Sequence, residues 1–200
     1  MSDIVYLYEN QVYLNITNAC PCNCKFCIRT HGEGLGSAER LWLEHAPSLE
    51  EIKAAIDAFD FGGREAVVFC GYGEPTCALT NLVETSRYIK EKYGYKIRVN
   101  TNGLSDLING RPTAEEFCRY TDIASISLNS CTAEKYNELV RPSFGERSFE
   151  AMLQFARECK ALGTEVKFSV VDVIPPEDIA ACQKIADEMG IPLRVRAYSE

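Results

Sequence analysis

No apolar run in the chain approaches the roughly 18–20 residues that a helix needs to cross a bilayer, so a membrane-spanning protein is not expected. The start, Met1-Ser2-Asp3, lacks the basic residues and small-residue cleavage site of a secretory signal. A surplus of positive charge is missing as well. The formal net charge of −8 argues against a large nucleic-acid footprint, though a local basic cleft is compatible with it. Internal repeats, low-complexity tracts and linkers are also absent, and 200 residues suit one domain, taken as 1–200, with a sizeable core. Hydrophobic content of 46 % and charged content of 25 % are those of an ordinary soluble protein. Ten cysteines would suggest disulfides in a secreted chain; without a signal they read as the reduced thiols of a cytoplasmic one.

Four of those thiols are crowded into Cys20-Pro21-Cys22-Asn23-Cys24-Lys25-Phe26-Cys27, where Cys20, Cys24 and Cys27 stand in C-x3-C-x2-C spacing. Soft ligands of this kind favour zinc, copper(I) or iron–sulfur clusters. A structural zinc normally takes four protein ligands, often as two separated pairs, and no partner C-x2-C follows anywhere in the chain. A [4Fe–4S] cluster usually takes four cysteines, so three would leave one iron open to a small ligand. A zinc knuckle or a set of free thiols is the alternative reading. Cys77, Cys118, Cys131, Cys159 and Cys182 are scattered and read as inert packing residues, so a second cluster is not expected. Cys22 and Cys70 lie near the motif and read as inert too.

Along the chain, strands alternate with helices. Gln11 to Thr17 alternates as a strand that delivers the cysteine loop, and His31 to Ser37 reads as a glycine-rich mobile loop with a solvated His31, anchored by Trp42. Ser48-Leu49-Glu50-Glu51 opens a helix with a capping box, and Ile52, Ala55, Ile56 and Phe59 form its apolar face. Further strands are expected over Ala66–Cys70, Lys96–Asn100, Ile123–Asn129, Val166–Ile174 and Leu193–Tyr198. Helices fall near 79–93, 114–120, 133–139, 148–162 and 176–189, the last closed by Gly190. Six strands with helical crossovers describe a partial (β/α)6 TIM-like barrel that lacks the last helix.

The strands divide into two faces. Ile97 and Val99 oppose Arg98, Asn100 and Asn102; Ile126 and Leu128 oppose Ser125, Ser127 and Asn129. Val166, Phe168 and Val170 oppose Lys167 and Ser169, and Leu193 and Val195 oppose Arg194, Arg196 and Tyr198. The apolar faces should meet the helices, leaving a polar lumen for water and a polar ligand. An antiparallel meander with one solvated face would alternate identically, but the intervening helices argue against it. Arg98, Lys167, Arg194 and Arg196 suggest an anionic substrate.

At the end of the second expected strand stands Gly71-Tyr72-Gly73-Glu74-Pro75, where two glycines permit close backbone approach and Glu74 can accept from an ammonium. Together with the cysteine triplet this resembles the radical SAM superfamily. Phe26 stands where that family has an aromatic before its third cysteine, Gly71 to Pro75 is similar to its G-G-E-P segment, and Thr101-Asn102-Gly103 to its T-N-G. The resemblance implies a [4Fe–4S] cluster on Cys20, Cys24 and Cys27 and S-adenosylmethionine (SAM) chelating the open iron. It further implies an external electron donor of the flavodoxin or ferredoxin type, an oxygen-sensitive cluster and a 5′-deoxyadenosyl radical that abstracts hydrogen from a substrate. SAM contacts are implied for Phe26, Gly71, Tyr72, Gly73 and Glu74, then Asn100 and Asn102. Ser127 and Asn129 are implied for its carboxylate and ribose. On the last two strands they are implied for Lys167, Ser169, Val171, Arg196 and Tyr198, with Ser169 standing where relatives carry asparagine.

The chain as a whole resembles the TatD-linked radical SAM proteins over nearly its full length. The segments that carry this include Asn15-Ile16-Thr17-Asn18, Cys27-Ile28-Arg29 and Arg141-Pro142-Ser143-Phe144-Gly145. Association with a TatD-type metal-dependent hydrolase is what that resemblance implies. With no helix after the last strand to cover the lumen, the substrate is expected to be large or a partner to complete the pocket. A glycyl-radical-type activase acting on a protein is therefore the first rival, and a zinc-stabilised binding module without redox chemistry is the rival from another class.

Overall fold

The structure, a computed structural model, describes residues 3–30 and 32–198; the reading of His31 as solvated lies outside them. Seven strands form one sheet in the order β1-β2-β3-β4-β5-β6-β7. β2 (Gln11–Leu14), β3 (Ala66–Phe69), β4 (Lys96–Thr101), β5 (Ile123–Ser127), β6 (Glu165–Val171) and β7 (Leu193–Arg196) run parallel. The sheet curls as a partial TIM-like barrel without closing. It differs from the expected six strands by β1 (Val5–Tyr8), which pairs antiparallel with β2. The tight turn between them puts Glu9 and Asn10 at φ 46° and 59°, a left-handed pair typical of a two-residue hairpin.

Among the described residues, seven α-helices fill the crossovers. α1 (Leu49–Ala58) starts at the expected capping box: the Ser48 hydroxyl accepts from the Glu51 N–H at 3.3 Å, and the Glu51 carboxylate accepts from the Ser48 N–H at 2.8 Å. α2 (Leu79–Tyr93), α4 (Ala114–Cys118), α5 (Ala133–Val140), α6 (Arg147–Ala161) and α7 (Pro176–Met189) follow the expected positions. α3 (Ser105–Asn109) was not expected, being too short to show a periodic face. Strand ends also retreat: β2 stops at Leu14, because Asn15 to Thr17 leave the ladder to enter the cysteine loop. Among the described residues no helix is long and apolar enough to cross a membrane.

The apolar core lies on the helical side. Val67, Phe69, Ile97, Val99, Ala124, Ile126 and Phe168 pack against Ile52, Ile56, Leu82, Phe117 and Phe155, all with no more than 1 % exposed. Each large side chain buried this way contributes about 2 kcal/mol. Cys159 and Cys182 are fully buried there, as packing residues would be, and all ten cysteines are free thiols. The other face keeps its polar side chains: Arg98, Asn100, Ser125 and Ser127 are half-buried. Towards β1 this lumen face is lined by Tyr6, Tyr13, Val68 and Tyr72, capped by Ala38 and Leu41. The loop expected to be mobile over His31 to Ser37 is, in its described residues 32–37, tied to β1: Ser37 N–H donates to the Leu7 carbonyl, and Leu7 N–H donates to the Ser37 hydroxyl, both at 2.8 Å.

Candidate functional site

The three cysteines, the Gly71–Pro75 segment and Thr101-Asn102-Gly103 meet at the C-terminal edge of β2, β3 and β4. Glu74 is the joint. Its backbone N–H donates to the Ala19 carbonyl at 2.8 Å. Its Oε1 accepts from the Thr76 N–H (3.1 Å), the Thr76 hydroxyl (2.9 Å) and the Thr101 hydroxyl (2.6 Å), and its Oε2 accepts from the Asn102 N–H (2.7 Å). Burial pushes the carboxyl of this residue, 4 % exposed, above its ordinary range, and the donors from Thr101, Asn102 and Thr76 pull it partly back. Asn102 closes the circle by pointing its Nδ2 at Cys22 Sγ, 3.5 Å away.

The glycines serve the same contact. A Cβ on Gly73 would run into the carbonyl oxygens of Thr17 and Ala19, and one on Gly71 into the Asn15 side chain. Asn15, 1 % exposed, spends its amide on the Leu41 carbonyl (2.7 Å) and its Oδ1 on the Tyr72 N–H (3.3 Å). Tyr72 is buried, donates to the Gly32 carbonyl at 2.7 Å and packs edge-on against Trp42, 5.2 Å between centroids. Thus the expected anchor, Trp42, does hold the loop, through Tyr72.

From the opposite side the cysteine loop rests on the end of α5. Ser143 N–H donates to the Pro21 carbonyl (2.8 Å), Asn23 N–H to Val140 (3.1 Å) and Lys25 N–H to Leu139 (3.0 Å), with Cys22 and Pro142 paired as an antiparallel bridge. Arg141 turns the chain at φ 51° to make this possible. Arg29, a residue whose role the sequence did not expose, braces the loop from within. Its guanidinium donates to the Cys22 carbonyl at 3.2 Å, bonds the Cys27 sulfur and lies 5.8 Å over the Trp42 ring. Burial lowers the Arg29 pKa, but Cys27 and the neighbouring thiols more than offset it and raise it.

Within the loop the Cys22 thiol lies in hydrogen-bonding reach of both Cys20 and Cys24. That bond holds the Cys20 and Cys24 sulfurs below the ordinary thiol value against the effect of burial, while Cys22, between them, is pushed far up. The thiolate is the form that ligates metal. Among the described residues no three His, Cys, Asp or Glu side chains stand as a ready-made metal group. The thiols bond Cys22 and Arg29 instead. By donor chemistry the loop therefore fits a thiolate-ligated iron–sulfur cluster. A second fit comes from Asn129, 4 % exposed at the end of β5 with φ 56°, whose Oδ1 is buried without a hydrogen-bond partner.

Of the remaining expected positions, Phe26 is half-buried in the loop, and Ser127, Ser169 and Val171 line the ends of β5 and β6 beside Asn129. Asn100 bonds the half-buried Cys70 thiol. Lys167 sits lower and is tied to Glu165 at 2.8 Å. Arg196 and Tyr198 lie on the exposed last strand and just beyond it. A pocket of about 280 Å³ lies between α5 and the start of α7, lined by Lys25, Ser130, Lys135, Leu139, Pro175 and Asp178, and none of the expected SAM contacts lines it. A wider cleft of about 500 Å³ lies behind β1 and α1 and shares none of the motif residues.

A parallel α/β barrel with its thiol loop and polar side chains gathered at the C-terminal strand edge belongs to the enzyme scaffolds that bind ligands there. The Radical SAM superfamily model matches residues 14–189. The chain is an enzyme of the radical SAM superfamily, and that membership implies a [4Fe–4S] cluster and SAM and removes the reading as a zinc-stabilised binding module. It is 26 % identical over 185 residues to the dual-specificity RNA methyltransferase RlmN of Halorhodospira halophila, covering 88 % of this chain and 48 % of that protein. It is 26 % identical over 198 residues to a putative glycyl-radical enzyme activating enzyme of Methanocaldococcus jannaschii, covering 95 % and 71 %. Among solved structures, methylornithine synthase (PylB) superposes with a TM-score of 0.64 at 20 % identity, covering 96 % of this chain and 55 % of that one. HydG, a maturase of the [FeFe]-hydrogenase, superposes with 0.67 at 14 %, covering 94 % and 42 %. These two likenesses bear on the fold alone. The chain spans about half the length of the methyltransferase it matches.

Proposed function

We propose that residues 1–200 form one radical SAM core in which Cys20, Cys24 and Cys27 ligate a single [4Fe–4S] cluster. SAM would lie along the mouth formed by Gly71–Glu74, Asn102, Ser127, Asn129 and Ser169, and the substrate in the polar lumen. The observation that supports this best is the Glu74 joint, which locks three segments distant in sequence into one wall beside the thiols. When bound and reduced by an external flavodoxin- or ferredoxin-type donor, cluster and SAM supply a 5′-deoxyadenosyl radical that abstracts hydrogen. The chain's own residues do the rest. Cys22 favours charged sulfurs at Cys20 and Cys24, and Arg29 bonds the Cys27 sulfur. Asn129 offers an unpaired acceptor to a ribose hydroxyl, and the tyrosine-lined floor at Tyr6, Tyr13 and Tyr72 keeps water from one side of the lumen.

A protein substrate is the second reading, favoured by the similarity to the putative activating enzyme along 198 residues. Membership of the TatD-linked subgroup, and with it association with a TatD-type hydrolase, rests on the Asn15–Asn18 and Arg141–Gly145 segments. Co-purification with such a hydrolase tests it. The main test is anaerobic reconstitution followed by dithionite and SAM. Wild type should bind close to four irons and release 5′-deoxyadenosine, and Cys24→Ala should lose both. A Cys24→Ala protein that keeps the cluster and the cleavage would refute the ligand assignment.

A further inference from the structure

Tyr136 carries a buried hydroxyl that the fold does not use. It stands in the middle of α5 with no exposed surface, and among the described residues its hydroxyl has no hydrogen-bond partner. Thr85 and Ser86 on α2 also hold unpaired hydroxyls, but their own helix offers a carbonyl within one side-chain rotation. A phenol stands a ring's length from its backbone and has no such recourse. Keeping it dry and unpaired is costly, where phenylalanine would fill the same space without a polar atom. Its place points to the cysteine loop. Tyr136 precedes Val140 by four residues, so the two share one face of α5, and both are buried. This end of the helix meets the loop: the Val140 carbonyl accepts from the Asn23 N–H at 3.1 Å, and the Leu139 carbonyl accepts from the Lys25 N–H at 3.0 Å. Phe149 on α6 packs against the ring, 5.7 Å between centroids. Tyr136 and Cys22 belong to one packed core, and Cys20 and Cys24 pack against it. The charged groups that act on the phenol are Cys22, Cys24, Glu74 and Cys20, all of them at the site. Glu74 is already engaged by four donors, which leaves the sulfurs as acceptors.

We propose that Tyr136 is a positioning residue of the iron–sulfur site, its hydroxyl donating to a sulfur of the cysteine loop when the loop holds its cluster. This deepens the radical SAM reading and rests on it. A hydrogen bond to a charged sulfur is of the stronger kind, and bonds to the sulfurs are among the factors that set a cluster's potential. A donor there draws charge from the sulfur and favours the reduced cluster.

The test compares wild type with Tyr136→Phe, first metal-free and then after anaerobic reconstitution. The metal-free variant should unfold at the same urea concentration as wild type or a higher one, because the hydroxyl bonds nothing in the fold. Both reconstituted proteins should hold close to four irons. A redox titration without SAM, followed by the electron paramagnetic resonance of the reduced cluster, should place the variant's midpoint below that of wild type. Loss of one hydrogen bond at about tenfold in the reduction equilibrium is about 59 mV for one electron. A variant midpoint equal to or above that of wild type would overturn the proposal. A loss of stability in the metal-free variant would overturn it too, by showing that the hydroxyl already has a partner in the fold. A wild-type protein that assembles no [4Fe–4S] cluster would overturn the radical SAM reading itself, and the role of Tyr136 with it.

Discussion

The two halves of the barrel treat their polar groups differently. From β1 to β4 nearly every polar side chain at the strand ends is spent inside the protein. Asn15, Glu74, Thr76, Thr101 and Tyr72 are buried and bonded to one another or to the cysteine loop. From β5 to β7 the strand ends are looser: Asn129 keeps a buried orphan acceptor, and β7 is mostly exposed. A resident metal group needs a wall that does not move, and a satisfied network supplies it. Ligands that come and go need groups left unpaired until they arrive. The first half is built as a holder and the second as a receiver.

The largest break in that contrast should come at Glu74. Glu74→Ala strands the Thr76, Thr101 and Asn102 donors in a buried place, at an expected loss of about 3 kcal/mol in urea unfolding. Glu74→Gln keeps the shape and one acceptor oxygen and should lose less. A loss in Glu74→Ala near zero would mean that the first half is not the satisfied framework described. Iron content then separates wall from ligand contact: retained iron with weakened SAM binding in Glu74→Gln would add a direct cofactor role to the structural one.

Much of this division was legible in the sequence. The two faces of β4, β5 and β6 followed from strict alternation, and the motif segments fell at strand ends because Gly71 and Gly103 interrupt the apolar runs there. What the glycines are for was not legible. Their pattern suggested approach to a ligand, whereas the backbone they admit is the protein's own, at Thr17 and Ala19. The Arg141–Gly145 turn and Arg29 bear on the cysteine loop through a contact 120 residues apart, Cys22 with Pro142, or through a stacked tryptophan, and neither leaves a periodic trace. β1 was missed because the chain had no turn residue such as glycine to announce its hairpin, only Glu9-Asn10. Among the four lumen cations, only the structure distinguishes Lys167, ion-paired with Glu165, from Arg98, which bonds the Tyr13 hydroxyl and keeps a buried Nε without a partner.

A smaller effect is expected at Asn129, in the receiving half. Its Oδ1 contributes no bond to the fold, and glycine is at ease at φ 56°. Asn129→Gly should therefore unfold within about 1 kcal/mol of wild type, yet bind SAM about tenfold more weakly through loss of one hydrogen bond. Equal SAM affinity in the two proteins would place the ribose elsewhere. A large stability loss would show that the side chain belongs to the framework after all.

The smallest effect belongs to a satisfied cluster that lies outside both halves, on the helical surface. Asp57 accepts from Lys92 at 2.8 Å and from the Tyr88 and Tyr93 hydroxyls at 2.6 Å. Lys92 first, then the two tyrosines, hold its carboxyl at about 2, below the ordinary 3.8. Between those two values the unfolded chain takes up a proton that the folded protein refuses, so the contribution is complete above about pH 4 and drains away as pH falls towards 2. The difference in urea midpoint between wild type and Asp57→Asn should be small, constant from pH 7 to about 4, and gone near pH 2, and added salt should shrink it. A difference that persists undiminished at low pH would mean that the aspartate works by shape and not by charge. No difference at any pH would instead show that bonding among polar groups stabilises this protein only where water is excluded, which is the distinction between the Glu74 joint and this exposed cluster.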